Sequence, residues 1–321
     1  MTKSFEVRAL ALIEAGEADA LFRLAFGTFL GLSDPMTFRP GASIFAHRLA
    51  MYPDGVFAIE QAGQLIGAAI ANRWGKVGVV GPVVVTPHQW QHGVGRALVD
   101  RTVARLEEWG CDALRLVTFP HSPRHLRFYQ RYDFWPASLS ASMALSVSTD
   151  GKIGTSRSRV ELLSYLSESE AAARLKSCAD LAACAEPGLD LTSECRLMRN
   201  GDSGDVVLVM TGDDVDGFAV CAAGKGSEAG EGNCIIKAAI VGRSDESSDR
   251  TLSDLIHAAS GYAFDRGLVT LFATVSTGNL DTYKAMLDLG FVVCTNQIIM
   301  NHPPLVGRSH GPKLHALLDL R

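Results

Sequence analysis

The first part of the chain carries three apolar runs, separated by short turns, which predict a meander of antiparallel strands at residues 56–61, 64–72 and 76–86. The turns are Ala62-Gly63 and Trp74-Gly75. A helix that begins near Ala15 is predicted before the meander, with loops and a second helix between it and the first strand.

After the meander the spacing of apolar residues changes from a strand pattern to a helical one. Leu98, Val99, Val103 and Leu106 recur at helical spacing and predict an amphipathic helix that ends at Gly110. A strand, a short helix and a final strand are predicted to follow at residues 113–119, 123–131 and 139–145. A meander followed by this alternation indicates an α/β class with a mixed sheet.

The turn between the third strand and the first of these helices contains a glycine-rich segment. Gly93 and Gly95 leave the main chain bare at the point where a helix begins, and His92 and Arg96 flank it. Backbone N–H groups without internal partners and the helix dipole favour an anion at such a turn. The pattern therefore predicts a phosphate site, although a tight turn packed on a sheet is the simpler alternative.

Two spaced signatures in this order resemble the GNAT family of acyl-CoA N-acyltransferases. Gly93 and Gly95 match the family's phosphate loop, but Trp90 stands where that loop begins with Arg or Gln. In the later signature Tyr129 and Phe134 match, while Ser122 replaces Asn and Asp133 replaces Gly. A glutamine is present one residue later, at Gln91, so the match at the start of the loop is weakened but not lost.

The resemblance implies where a CoA thioester would bind and how it would react. Backbone groups of Val83, Val84 and Val85 would hold the pantetheine arm. The pyrophosphate would lie against the loop, and Ser122 stands at a binding position of the later signature; the loop residues are Gln91, His92, Gly93, Val94, Gly95 and Arg96. Tyr129 would donate a proton to the departing thiolate, and the amine would attack directly.

The base that removes the amine proton is not fixed by the sequence. His121 follows a predicted strand near the expected cleft, and its ordinary pKa suits proton removal near neutral pH. Glu60 is an alternative that would act through water. Cys111 has no paired base, so a thiol nucleophile is not expected.

The loops after the first helix cover the acceptor in the family. Here they contain four apolar residues that suggest an apolar component in the substrate, unless they are ordinary core: Phe29, Met36, Phe38 and Phe45.

The second half of the sequence repeats the first. Shifting the chain by 157 residues aligns the halves without a gap, so that Gly110 falls on Gly267 and Phe134 on Phe291. The fold class predicted is therefore α/β with two tandem GNAT-like domains, each a mixed, mostly antiparallel central sheet flanked by helices. The predicted domains are 1–146 and 160–321, joined by a polar linker at 147–159.

The rear copy has lost the residues that carry the chemistry. The loop glycines become Arg250 and Leu252, and the turn before them, 243–249, contains three carboxylates that would repel a pyrophosphate. Met286 stands at the position of Tyr129 and has no proton to give. A catalytic front domain and a degenerate rear domain are predicted. The glycine-containing segment 224–233 is predicted to be a flexible hairpin loop.

The composition limits the classes of binding partner and the cellular location that are expected. A net charge of −5 without a basic stripe argues against a nucleic-acid backbone binder. Seven scattered cysteines, with no Cys-x-x-Cys spacing, favour free thiols in a cytoplasmic protein without a metal site. No signal peptide and no run long enough to span a membrane is seen. A monomer or homodimer that acts on a small-molecule or peptide amine is expected.

The sequence thus predicts an acetyl-CoA-dependent N-acetyltransferase that uses acetyl-CoA as co-substrate. Three alternatives stay open at this point. The chain is a CoA-binding regulatory module without turnover, or a structural two-domain protein that does not bind CoA. The third alternative keeps the enzyme and changes the acceptor, as in tandem-domain relatives such as the mycothiol synthases, whose acceptor is a sugar-linked amine.

Overall fold

The computed structural model describes residues 5–147, 158–242, 247–303 and 315–320. The helices in these ranges are α1 Ala15–Phe29, α2 Phe45–Met51, α3 Val94–Glu108, α4 Pro123–Gln130, α5 Glu168–Ala185, α6 Thr192–Arg199, α7 Ser247–Asp265 and α8 Leu280–Asp288. The strands are β1 Arg8–Ala9, β2 Val56–Gln61, β3 Gln64–Trp74, β4 Val77–Val85, β5 Ala113–Thr118, β6 Trp135–Ser146, β7 Arg159–Leu162, β8 Gly204–Thr211, β9 Asp214–Ala223, β10 Asn233–Val241, β11 Thr270–Ser276, β12 Val292–His302 and β13 Ala316–Leu318.

Local sequence explains most of these bounds. The helix predicted from Leu98 begins four residues earlier, at Val94, because Gly93 takes a left-handed φ of 95° at its N-cap. Ser167 and Glu170 form a capping box at the start of α5. Among the described residues no helix is both long enough and apolar enough to cross a bilayer.

The strands form one continuous sheet in the order β1-β2-β3-β4-β5-β12-β6-β11-β10-β9-β8-β7, and β13 pairs with β10 off this path. The pairs β4–β5 and β10–β11 are parallel. We call residues 5–147 the front half and residues 158–320 the rear half. At the centre the halves exchange strands: β12 of the rear half lies between β5 and β6 of the front half, and β6 pairs with β11. The two predicted tandem folds are confirmed, but they share one sheet.

The internal repeat is visible in equivalent helix starts. Ser122 caps α4 by accepting from the His125 N–H, and Asn279, 157 residues later, caps α8 by accepting from the Thr282 N–H. The gap-free alignment holds from β4 onwards and fails before it. The turn between β3 and β4 spans residues 75–76, whereas the connection between β9 and β10 spans 224–232. This longer connection displaces the earlier strands of the rear half from the 157-residue shift.

The segment between β9 and β10 does join two antiparallel strands, but it is not a free loop. Its main chain binds the front half through Gly226 N to Gly41 O at 2.9 Å and Glu231 N to Pro40 O at 2.9 Å. Ser227 and Glu228 are buried. The prediction of a flexible hairpin loop was therefore wrong, because the loop is a contact between the halves. Most of the predicted linker, residues 148–157, and hence the domain boundary lie outside the described residues.

A buried cluster of four charged residues also joins the halves. Arg48 on α2 binds Glu194 on α6 at 2.5 Å and Glu228 at 2.7 Å, and Lys237 on β10 binds Glu228 at 2.6 Å. The Trp74 indole N–H donates to Glu194 at 2.8 Å. The side chains of all four charged residues are at most 4% exposed. Two positive and two negative charges compensate each other here, as burial requires.

This cluster predicts a loss of stability in acid. Burial alone raises the pKa of Glu228, but the charges of Arg48 and Lys237 outweigh burial and lower that pKa from 4.5 to about 2. A depressed carboxyl pKa contributes stability above its unfolded value, and this contribution is lost as the pH falls from about 4.5 towards 2. Urea unfolding of the full chain between pH 6 and pH 3 should therefore show a falling midpoint.

Glu228→Gln should lower the midpoint at neutral pH and flatten its dependence on pH below 5. The matched control is Glu231→Gln, which changes an exposed carboxylate on the same loop and should keep the acid-dependent fall. An unchanged slope in Glu228→Gln would show that other groups control the acid response.

Candidate active site

The cavity at the centre of the front half exists because two parallel strands separate. β4 and β5 pair only over residues 77–79 and 113–115. Beyond these pairs a cavity of about 1620 Å³ opens between them. Pro82, which has no N–H to donate to a neighbouring strand, lies on its wall. The cavity has room for two ligands, since single-ligand pockets occupy about 300–1,000 Å³.

At one end of this cavity lies the turn that leads into α3. The N-cap of this helix is Gly93, and no side chain in the described part of the chain caps it. Among the described residues, no acceptor binds the main-chain N–H groups of Gly93, Val94, Gly95 and Arg96, and the first bond into the helix runs from Ala97 N to Gly93 O at 3.1 Å. Unpaired amides at the positive end of a helix dipole form an anion site.

Trp90 explains the departure from the family's loop sequence. Its indole N–H donates to the Val85 carbonyl at 2.8 Å and ties the turn to the end of β4. The guanidinium of Arg124 lies over the Trp90 ring, 5.6 Å from its centroid. Four arginines on α3, on α4 and directly after α4 line the cavity, namely Arg96, Arg124, Arg127 and Arg131. The loop therefore presents both amides and guanidinium groups to an anion.

The structure brings together seven of the residues predicted for the site. They line the cavity and are Val83, Val85, Gln91, Gly93, Gly95, Arg96 and Tyr129. Val84 and Val94 are fully buried in the core, and their side chains face away from the cavity. His92 is exposed beside the loop, outside the lining. Ser122 lies off the lining too, and its hydroxyl is used in capping α4.

Tyr129 lies on α4 and faces the cavity. The neighbouring Phe128 ring approaches the loop, since a Cβ added at Gly95 would lie 4.0 Å from its Cζ atom. Burial raises the pKa of Tyr129 to about 12, so the hydroxyl is protonated at neutral pH. Among the described residues this hydroxyl has no hydrogen-bond partner. No group in the described chain accepts a hydrogen bond from it, so its proton is available to a ligand in the cavity.

Sequence reasoning missed a histidine in this site. His121 is exposed and lies outside the cavity lining, whereas His125 lines the cavity one helical turn before Tyr129. Burial, with the charges of Arg124 and His121, lowers the pKa of His125 to about 4, so its imidazole is neutral at physiological pH. The Nδ1 atom of His125 is buried without a partner in the described chain. The four-residue spacing to Tyr129 was the available signal.

The other candidates for proton removal or attack lie elsewhere. Glu60 on β2 forms an ion pair with Arg8 at 2.9 Å and does not line the cavity. Cys111 is half-buried, and burial raises the pKa of its thiol, which disfavours the reactive thiolate.

Aromatic rings line the end of the cavity beyond His125, which we call the aromatic chamber: Phe22, Phe26, Phe29, Phe38 and Phe119. The Phe29 and Phe119 centroids are 4.5 Å apart, and His125 lies 4.8 Å from Phe29. Two of the four residues predicted to face the acceptor, Phe29 and Phe38, are in this chamber. Phe45 is fully buried in the core and Met36 is 43% exposed, and neither lines the cavity.

The rear half supplies the opposite wall. Strand β12, exchanged into the front half, continues past the end of β5 and contributes Thr295 and Gln297. The other rear-half contributors are Ala229, Asn233, Ile235, Phe272, Cys294 and Leu320. The cavity therefore belongs to both halves, which the sequence did not predict.

The equivalent gap in the rear half is filled by the chain itself. β10 and β11 also pair only over their first residues, 233–235 and 270–272. One edge of β10 pairs with β9. β13 therefore pairs with residues 238–240 on the other edge of β10, the edge that faces β11. Leu317 is fully buried there, and His315 binds Thr282 and Asp249, each at 2.8 Å. The predicted acidic turn lies largely outside the described residues, at 243–246.

Comparison with known proteins gives the same assignment. Residues 20–134 match the sequence profile of the acetyltransferase (GNAT) family. A proposed acetyltransferase from Pyrococcus horikoshii has a similar structure, with 12% identity, a TM-score of 0.66 and coverage of 98% of this chain and 95% of its own. A GCN5-related N-acetyltransferase from Sphaerobacter thermophilus follows at 14% identity, TM-score 0.61 and coverage of 92% and 95%. No curated protein matches the sequence.

A tandem GNAT protein from the clavulanic acid biosynthesis pathway is similar over 93% of this chain and 98% of its own, at 13% identity and a TM-score of 0.60. Fold and site together define two tandem α/β folds, with a cleft in the front copy that is lined at one end by main-chain amides unpaired within the described residues. Residues 20–134 in the front half carry the sequence profile of the GNAT acetyltransferase family, and the chain has the tandem GNAT fold over nearly its whole length. Members of this family are generally acetyl-CoA-dependent acyltransferases.

Proposed function

We propose that this chain is an N-acetyltransferase, in which the front half binds acetyl-CoA and an amine attacks the acetyl carbonyl directly. The observation that carries the proposal is a single cavity that connects unpaired main-chain amides to the unpartnered hydroxyl of Tyr129. One end recognises an anion and the other offers a proton. A thioester carrier that contains a diphosphate needs both an anion site for the diphosphate and a proton donor for the departing sulfur.

The front half would hold the carrier by its main chain. The amides from Gly93 to Arg96 donate to the diphosphate, and Arg96 and Arg124 add charge. The backbone N–H and C=O groups of Val83 and Val85 point towards the gap. Successive residues of a strand direct these groups to opposite edges, and the N–H of Thr86, the residue after Val85, donates to Ile66 on β3. The Val83 groups and the Val85 N–H would align the pantetheine arm along β4, whereas the Val85 carbonyl already accepts a hydrogen bond from the Trp90 indole.

Tyr129 and His125 would move the two protons of the transfer. Tyr129, protonated at neutral pH, donates its proton to the sulfur as the C–S bond breaks. His125 accepts an N–H hydrogen bond from the amine and takes its proton as the C–N bond forms. Its neutral imidazole can accept this hydrogen bond, which a charged one could not, although its lowered pKa makes it a weaker base than an ordinary histidine. His125 takes the place that His121 held in the sequence prediction.

Acetyl-CoA binding and turnover test the proposal together. A thermal-shift titration of the full chain should show stabilisation by acetyl-CoA, because a ligand that prefers the native state raises its stability. Gly93→Glu should remove this shift, since its carboxylate would lie among the amides that bind the diphosphate. We expect the acetyl-CoA affinity to fall by more than about 100-fold, the order given by losing a charge-assisted site.

The matched control for this variant is Gly212→Glu. Gly212 also has a left-handed backbone, with a φ of 61°, and an added Cβ there would meet nothing within 4 Å. It therefore reproduces the backbone strain without touching the cavity. If Gly93→Glu keeps its acetyl-CoA shift, the loop is not the diphosphate site.

Release of free CoA in the presence of amines then distinguishes an enzyme from a binding module. Binding without release with any amine would favour a regulatory role. Neither binding nor release would favour a structural role for the tandem fold.

A further inference from the structure

The aromatic chamber has a composition that selects among amines. Besides its phenylalanine rings, its charged lining residue is Arg39, whose guanidinium donates to the Glu228 carbonyl at 2.7 Å. The carboxylate in the described lining, Asp100, lies on α3 beside Arg96, at 3.9 Å, at the opposite end of the cavity. A polyamine or aminoglycoside needs acidic partners for its extra positive charges, and the described chamber offers it one cation, Arg39, and no carboxylate.

The wall from the rear half contributes apolar residues as well as polar ones. Phe272 and Ile235 face the cavity together with Leu320. A ligand body bound between these residues and the phenylalanine rings would be removed from water on both sides. Such burial stabilises a ligand with an apolar surface. The cavity is large enough for such a body beside the carrier.

One polar atom in this wall lacks a partner. The Oε1 atom of Gln297 on β12 is buried and unbonded within the described chain. A buried acceptor without a donor is costly, so a ligand N–H that reaches it is favoured. Gln297 lies opposite Ser140 and one residue before Ile298, which pairs with Thr118 at the end of β5.

We propose that the acceptor is a monoamine with an aromatic or aliphatic apolar body, held between the two halves, with Gln297 as a hydrogen-bond acceptor for the amine. The inference rests on the proposed function and adds the substrate class. In the transfer the carbonyl carbon loses its bond to sulfur and gains a bond to the amine nitrogen. The thiolate takes the Tyr129 proton, and His125 takes the proton lost by the amine.

The test measures CoA release by the full chain with acetyl-CoA and two probe amines, 2-phenylethylamine and spermidine. We expect kcat/KM for 2-phenylethylamine to be greater by about 10- to 100-fold, the effect of burying one phenyl group. Octanoyl-CoA is compared with acetyl-CoA to determine whether the chamber holds the acyl chain instead.

Variants of the rear half test whether its wall binds the acceptor. Phe272→Ala should raise KM for 2-phenylethylamine by about tenfold without changing KM for acetyl-CoA. The matched control is Phe264→Ala, at a ring that is 44% exposed on α7. Thr295→Trp should reduce the volume of the cavity at the rear-half wall and act in the same direction, while Val292→Trp, on an exposed residue of the same strand, should not.

Gln297→Leu should raise KM for the amine as well, with Phe272→Ala as a comparison of apolar and polar contributions. Preference for spermidine, or rear-half variants without effect on the amine KM, would overturn the inference and leave the proposed function intact. Faster turnover of octanoyl-CoA with the same rate for both amines would overturn it too, because the chamber would then hold the acyl chain. Failure of acetyl-CoA to bind the unmodified chain would overturn the proposed function itself, and the inference with it.

Discussion

Tyr129→Phe is expected to lower kcat for amine acetylation by about 10²–10⁴-fold, the usual contribution of a positioned general acid. The phenyl ring keeps the packing against Phe128 and Phe134, so acetyl-CoA affinity should change by less than about twofold. The hydroxyl that is lost is the one that we propose as the proton donor to the departing sulfur. Steady-state release of CoA, with a thermal-shift titration alongside, measures both quantities.

The control for this variant is Tyr165→Phe, which removes a hydroxyl from a residue that is 83% exposed in the rear half. It should have the kcat of the unmodified chain. Equal activity of Tyr129→Phe would remove Tyr129 from the mechanism. A large fall in acetyl-CoA affinity would instead assign it a binding role.

Arg48→Leu is expected to lower the free energy of unfolding by about 3–5 kcal/mol, the cost of removing one partner from a buried ion pair. Arg48 binds both Glu194 and Glu228, so its loss leaves Glu194 without its cation and Glu228 with Lys237 alone. Because the cluster spans the two halves, the loss should appear in the unfolding of the whole chain. Urea denaturation at neutral pH measures it.

Arg159→Leu serves as the comparison, since this arginine is 52% exposed and pairs with Glu161 at the surface. Exposed pairs contribute about 0–1 kcal/mol, so that variant should unfold close to the unmodified chain. An equally small effect of Arg48→Leu would mean that the cluster contributes little to stability. Adding Glu194→Gln to Arg48→Leu should recover part of the loss, because it removes one uncompensated charge.

The local features of the front half could be predicted because they depend on neighbouring residues. The apolar runs of β2 and β3, the glycine turn at Gly93 and the spacing from Leu98 to Leu106 are all encoded within a few positions. The position of Tyr129 was likewise available from its spacing to Phe134. These residues define one end of the cavity before any long-range contact is considered.

The rest of the site depends on contacts between distant parts of the chain. Gln297 and Phe272 reach the cavity because β12 and β11 pair with strands of the front half, and pairing partners in a sheet are not encoded by strand spacing alone. The same is true of Arg48 and Glu194, which are 146 residues apart. From the sequence alone, charged residues such as these are expected at the surface, because charged groups are rarely buried.

The crossing of β12 into the front half has a consequence for how the protein can be divided. A fragment ending near residue 147 would lack the strand that lies between β5 and β6, so both would expose unpaired main-chain edges. Unpaired edges recruit strands from other molecules, and such fragments are prone to aggregation or domain swapping. Each repeat therefore depends on the other to complete its strand pairing at the centre of the sheet.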